Sequence, residues 1–182
     1  MTAIGYIGLG TMGGPMAIHL AEAGHDVSAF DLDDDAVQRA VDGGASAAET
    51  PADAVAGAEV VFFSLPAPDT VLAVVDEIED AIEPGAVLVD MTTSTPDTTA
   101  TVAERLAERD VDVLGAPVSG GRSGAESATL STMVGGDPAV FEACEPLLEI
   151  VASDVFHVGD EPGQGHAVKL LNNYLSFMAL YS

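Results

Sequence analysis

The stretch Ala3-Ile4-Gly5-Tyr6-Ile7-Gly8-Leu9-Gly10-Thr11-Met12-Gly13 decides how this chain folds. A short apolar run ends in Gly-x-Gly-x-x-Gly, and residues 12–23 continue at helical spacing. In a strand–turn–helix unit each glycine has its own task. Gly8 permits the tight turn, Gly10 admits a close backbone approach, and Gly13 lets helix and strand pack together. The turn, with Leu9, Thr11 and Met12 between its glycines, then offers backbone N–H groups and a helix N-terminus to a pyrophosphate. Binding of that kind needs no arginine. The glycine pattern is common on its own; it becomes specific through its place after a strand, before a helix, and ahead of an acid closing a second strand.

That acid is Asp31, in Val27-Ser28-Ala29-Phe30-Asp31-Leu32-Asp33-Asp34-Asp35. A carboxylate at this point accepts hydrogen bonds from a ribose diol and repels a 2′-phosphate. Asp33 to Asp35 add negative charge, and the nearest cation, Arg39, lies a further helical turn away. The expected cofactor is therefore NAD rather than NADP. Part of this acidic run also reads as the solvated start of a helix.

Further along, short apolar runs alternate with helical segments, the pattern of a parallel sheet wrapped by helices. Strands are predicted over 3–8, 26–31, 58–65, 85–90, 111–114, 129–135 and 154–158. Helices are predicted over 12–23, 33–42, 51–55, 68–82, 96–109, 138–151 and from 163 to the end, several opening on a proline in the first turn. The expected fold is α/β: a Rossmann-type, doubly wound, mostly parallel sheet over 1–160, followed over 161–182 by the start of a long interdomain helix. In that last helix Leu170, Tyr174, Phe177, Met178 and Tyr181 recur at helical spacing as an apolar stripe. The stripe is expected to pack on something outside this chain.

The chain has 182 residues, 30 of them acidic and five basic, for a net charge of −25. Nucleic acid and anionic membrane are excluded as partners, since both require clustered Lys and Arg. No apolar run approaches ~18 residues, and the N-terminus lacks a basic leader, so a cytoplasmic protein is expected. An acidic, lysine-poor surface on an ordinary core is the composition suited to multimolar salt, where a Debye length of about 3 Å makes such self-repulsion tolerable. The single cysteine, Cys144, sits in an apolar helical pattern and reads as core packing. His19, His25, His157 and His166 show no metal-ligand spacing, and no metal is expected; for His166 a packing role is the main reading and a cofactor contact the other.

Lys169 is the only lysine, within Gly163-Gln164-Gly165-His166-Ala167-Val168-Lys169-Leu170-Leu171-Asn172-Asn173. A lysine pKa moves readily on burial, which suits this residue to proton transfer where arginine cannot serve. The alternative is a lone surface lysine with no role.

Taken in order, Gly13-Gly14-Pro15-Met16, Ser64-Leu65-Pro66, Asp90-Met91-Thr92-Thr93-Ser94-Thr95-Pro96, Ala116-Pro117-Val118-Ser119-Gly120-Gly121, Thr129-Leu130, Met133-Val134-Gly135-Gly136 and the Lys169 helix span nearly the whole chain. Together they closely resemble the β-hydroxyacid dehydrogenases, of the 3-hydroxyisobutyrate dehydrogenase and tartronate semialdehyde reductase type. The resemblance implies a Rossmann-type domain, an interdomain helix and an all-helical C-terminal domain that builds the dimer, of which this chain would hold the first and the start of the second. It implies that Leu65, Pro66 and Thr93 line the cofactor site and that Ser119, Gly120 and Gly121 bind substrate. Lys169 matches the catalytic lysine and Asn173 the substrate-side asparagine one turn on. The implied reaction is NAD-dependent interconversion of a small 3-hydroxy acid with its semialdehyde or keto acid, in a homodimer or higher homo-oligomer. With the far wall of the cleft outside the chain, water is expected to reach Lys169 and hold its pKa near the free value. Two positions depart from the family pattern: Gly115, where an acid usually precedes Ala-Pro-Val, and Ala128, where glycine usually precedes Thr-Leu. Arg122, directly after the glycines, is a candidate for steering an anionic substrate, or else a solvated rim residue.

Rival readings are an imine reductase on the same fold, a 6-phosphogluconate-dehydrogenase-like enzyme, and a dinucleotide-binding module without turnover. Imine reductases generally replace the lysine, and a phosphorylated substrate calls for more basic residues than this chain has. Binding and turnover measured on one sample separate the third from the first reading.

Overall fold

The computed structural model describes residues 1–180, so Tyr181 of the apolar stripe lies outside the described residues. Nine strands form one sheet: β1 (Ala3–Ile7), β2 (Asp26–Phe30), β3 (Ser46–Ala47), β4 (Val60–Phe63), β5 (Val87–Asp90), β6 (Asp112–Gly115), β7 (Val118–Ser119), β8 (Leu130–Gly135) and β9 (Ala152–Gly159). Their order is β3-β2-β1-β4-β5-β6-β8-β7, with β9 paired to β8. β1 to β6 run parallel, β8 is antiparallel to β6 and β7, and β9 is parallel to β8. The expected Rossmann-type, mostly parallel sheet is present. It has three additions that short segments concealed: β3, β7, and the helix α6 (Gly121–Glu126) that follows β7.

The interior shows why the strands read as unbroken apolar runs. In β4, Val60 and Phe62 join one core while Val61 and Phe63 join the other. A strand buried on both faces has no polar side to display. One core is closed by α1 (Gly13–Glu22), α2 (Asp34–Asp42) and α7 (Pro138–Val151), through Met16, Leu20, Ala36, Phe141 and Leu148. The opposite core is closed by α3 (Pro51–Val55), α4 (Pro68–Ile78) and α5 (Pro96–Ala107), through Val55, Val71, Ile78, Val102 and Leu106. Cys144 is buried in the first core, where burial pushes its thiol up to about 11. Side chains of Asp33, Thr50, Thr95 and Asp137 cap α2, α3, α5 and α7.

The last helix, α8 (Pro162–Leu180), begins by packing on α5, β6 and β8. Backbones meet closely here. A Cβ on Gly135 would lie 2.6 Å from Gly165 N, and one on Gly165 would lie 2.5 Å from Met133 O. Farther on, Leu170, Leu171, Tyr174, Leu175, Phe177 and Met178 are exposed, so the apolar surface is broader than one stripe. Among the described residues no helix is long and apolar enough to cross a membrane.

Candidate active site

All parallel strands end on the same side, and the crevice opens there, between β1 and β4, where the strand order reverses. Gly8 leaves β1 at φ 96° with its N–H on Phe30 O, and a Cβ on it would fall 2.8 Å from Ser64 C. Only glycine meets both conditions. Gly13 packs the start of α1 onto this turn; a Cβ there would lie 2.9 Å from Ser64 Cβ and closer still to Gly8 O. Gly10, by contrast, has no atom within 4 Å of the Cβ position, so its backbone is open to an approaching group. The first turn of α1 has neither a side-chain cap nor an acid, whereas α2, α3, α4 and α5 all carry first-turn aspartates. In so acidic a chain, that bare N-terminus is a fitting cradle for phosphate.

Asp31 accepts Leu9 N–H at 2.6 Å on one oxygen and Asp33 N–H at 2.8 Å on the other. Its carboxylate is thereby held at the rim of a cleft of about 650 Å³, which Gly8, Gly10, Thr11, Met12, Leu65 and Pro66 also line. Leu9 and Gly13 do not line the cleft. Leu9 turns its side chain into the core, and Gly13 serves packing. Sequence reasoning missed Leu32, Pro51 and Glu77, which line the same cleft from three separate segments.

A second cleft of about 360 Å³ shares Met12, Ser64, Leu65 and Pro66 with the first, so the two adjoin. It brings together Thr93 after β5, Ser119 at the end of β7, Gly120 and Gly121 at the entry to α6, and Lys169 of α8. Lys169 is only 7% exposed, and burial lowers its pKa from the ordinary lysine value. The expected opening of this lysine to water is therefore wrong: the cleft already shields it, because the close-packed start of α8 presses its face onto the sheet. Among the described residues no carboxylate pairs with Lys169. Asn173 is exposed; its neighbour Asn172 is the one that reaches Ser119 Oγ, at 3.5 Å. Arg122 binds Glu126 at 2.7 Å on the exposed face of α6.

Behind the second cleft lies a buried polar group. Thr92 accepts Leu65 N–H on its hydroxyl at 3.0 Å and donates its own N–H to Asp90 Oδ1 at 3.0 Å. His166, fully buried, places Nε2 2.9 Å from Thr92 O and Nδ1 3.0 Å from Thr99 Oγ1. Burial raises Asp90 to about 6, against hydrogen bonds from Thr92, and lowers His166 to about 4. His166 thus makes internal hydrogen bonds and lines neither cleft. The other histidines also meet backbone: His19 Nε2 faces Ala125 O, His157 Nε2 faces Gly136 O, and His25 Nδ1 accepts Thr2 N–H. No group of metal-ligating side chains occurs among the described residues. Ala128 stands at φ 52°, the left-handed conformation that glycine adopts without strain.

This strand–turn–helix crevice, with an acid at the end of the second strand, defines a nicotinamide-dinucleotide-binding domain. The NAD binding domain of 6-phosphogluconate dehydrogenase matches as a family over residues 3–159. The chain is 44% identical over 175 residues to 2-(hydroxymethyl)glutarate dehydrogenase of Eubacterium barkeri, covering 94% of this chain and 58% of that protein. The solved structure of Mycobacterium tuberculosis 3-hydroxyisobutyrate dehydrogenase with L-serine superposes with a TM-score of 0.93 at 36% identity, over 96% of this chain and 60% of that one. A Streptomyces aurantiacus imine reductase superposes with a TM-score of 0.90 at 29% identity, over 98% and 62%. The chain belongs to the β-hydroxyacid dehydrogenase family. It spans 58–59% of the length of curated relatives such as the first of these.

Proposed function

We propose that the protein is an NAD-dependent oxidoreductase that interconverts a small 3-hydroxy acid and its semialdehyde or keto acid, with Lys169 as general acid/base. The observation that carries this is Lys169 itself. The chain's one lysine is buried in a cleft that adjoins the glycine-turn crevice and is also lined by Thr93 and Ser119 to Gly121.

When bound, the nicotinamide supplies hydride exchange with the carbinol carbon. The chain's own residues do the rest. Gly10 to Gly13 take the pyrophosphate on backbone N–H groups, those of Gly8 and Leu9 being already given to Phe30 O and Asp31, and Asp31 accepts the adenosine ribose hydroxyls on its remaining lone pairs. Ser119 and the Gly120-Gly121 backbone hold a carboxylate without a buried arginine. Lys169 Nζ, kept below its ordinary pKa by burial, accepts the hydroxyl proton in oxidation and returns it in reduction. The reach of Asn172 to Ser119 Oγ supports a role in orienting substrate; Asn173, given that role by the family resemblance, is exposed four residues on from Lys169. The acidic Asp31–Asp35 run favours NAD over NADP.

We read residues 1–160 as the dinucleotide domain and 161 onward as the start of an interdomain helix; the end of the sheet at Gly159 and the exposed apolar residues of α8 support this. Those residues also support homo-oligomerisation, and the charge supports a cytoplasm of high salt. The test pairs an NADH fluorescence titration with a turnover screen of small 3-hydroxy acids in multimolar KCl. NADH binding with turnover of at least one such acid is expected. Binding without any turnover would reduce the protein to a dinucleotide-binding module.

A further inference from the structure

His166 takes no part in the chemistry just described, yet both of its ring nitrogens are hydrogen-bonded, one turn before Lys169. Its Nε2 lies 2.9 Å from the Thr92 carbonyl, which can only accept, so Nε2 carries the proton. The neutral ring then leaves Nδ1 to accept the Thr99 hydroxyl at 3.0 Å. Asp90, at the end of β5, places Oδ2 3.8 Å from Nε2; it is the only carboxylate among the described residues within 4 Å of the ring. His166 and Lys169 are three residues apart, on one face of α8, and both are buried.

Thr92 is the junction that gives this contact its consequence. It ties the end of β4 through Leu65 N–H and the end of β5 through Asp90, and its neighbour Thr93 lines the Lys169 cleft. The departure at Gly115 belongs to the same arrangement. A Cβ on Gly115 would lie 2.8 Å from His166 Nδ1, so the imidazole fills the volume in which an acid side chain at 115 would begin.

We propose that His166 is a positioning residue for Lys169: by donating Nε2–H to Thr92 O it locks α8 to the loop after β5 and fixes the lysine amine against the wall that holds Thr93. This rests on the acid–base reading of Lys169. It nevertheless makes a prediction that needs no turnover, because the chain has a single lysine. Protein labelled with ¹³C-lysine gives one side-chain ε-carbon resonance, and its pH titration reads the Lys169 pKa directly.

Three variants separate positioning from space-filling. His166→Gln keeps an N–H donor long enough to reach Thr92 O, and should titrate like wild type. His166→Asn is too short for Thr92 but keeps an acceptor for Thr99, and should shift the Lys169 pKa up by about half a unit or more toward the free value of ~10.4, as water enters. Thr99→Val removes the Nδ1 contact, together with the hydroxyl's 3.2 Å contact to Thr95 O, but keeps the Thr92 bond, and should leave the titration unchanged. Cooperative thermal melts confirm that each variant is folded. If His166→Asn does not fold, the Gln and Val variants still decide, since a shift in either overturns the proposal. Equal titrations of folded Asn and wild-type protein overturn it as well. Loss of this proposal leaves the acid–base reading intact; conversely, a Lys169→Ala enzyme with near-normal turnover removes the acid–base reading while the NMR shift remains.

Discussion

The Asp31 carboxylate accepts the Leu9 backbone N–H at 2.6 Å, which fastens the acid at the end of β2 to the glycine turn after β1. The glycine turn and the strand-two acid, the two halves of the proposed dinucleotide site, are thus one hydrogen-bonded unit. Asp31→Ala should remove both the ribose acceptor and the anchor of the turn. NADH affinity should fall by about tenfold or more, the scale of a hydrogen bond to a charged group, and its advantage over NADPH should narrow. Fluorescence titration of both cofactors measures this. Tighter wild-type binding of NADPH than of NADH would show that the acid has been misread.

Lys169→Ala should lower kcat by at least ~10²-fold with NADH affinity little changed. The pH profile has a defined sign. Oxidation needs the neutral amine, so its rate should rise with pH; reduction needs the ammonium, so its rate should fall. Burial lowers the lysine's pKa, so both inflections should lie below the ordinary value of ~10.4. An inflection at or above that value would place the acid–base group elsewhere.

The glycines separate structure from binding. Gly13→Ala would push a methyl against Gly8 O and Ser64 Cβ, and should cost ~1–3 kcal/mol in urea denaturation, the usual range for overpacking. Gly10→Ala meets no neighbour within 4 Å, so stability should hold while NADH binding weakens, because the methyl occupies the approach of the pyrophosphate. Equal destabilisation by both substitutions would contradict this division of labour.

What could be read from sequence followed the range of the interactions. The turn at Gly8 to Gly13, the acid at Asp31 and the buried runs of β1 and β4 depend on local order and a doubly buried period, and both appear in the chain as written. Neither β3 nor β7 was legible, because two residues carry no period, nor was α6, whose segment opens on Gly121 and contains Gly124. The predicted ends of α4 and α5 ran to 82 and 109, beyond Ile78 and Ala107: Ala81 and Ile82 continue the apolar pattern past α4, and no glycine or proline marks the stop of α5 before Glu108 and Arg109. Lys169 was found by its type and setting, but its shielding was not. That shielding depends on backbone contacts between Gly165 and β6 and β8, which no residue near 169 announces. The hydrogen bond between His166 and Thr92 joins residues 74 positions apart and leaves no local pattern.

The last prediction concerns salt. All four arginines pair with carboxylates: Arg39 with Asp33, Arg105 with Asp76 and Glu79, Arg109 with Asp80, and Arg122 with Glu126. With 30 acidic residues in the chain, most carboxylates have no cation to meet. Their mutual repulsion opposes the compact state in dilute buffer. Screening should relieve it mainly as the Debye length shortens from ~10 Å at 0.1 M to ~3 Å at 1 M. A relief of ~3 kcal/mol corresponds to a rise in Tm of roughly 6–12 °C for a chain of this size. Thermal melts from dilute buffer to multimolar KCl test this, and most of the rise should come below about 1 M. A rise confined to higher concentrations would instead reflect strengthened apolar burial. A flat curve would show that this surface tolerates its charge without salt, and would remove the case for a high-salt cytoplasm.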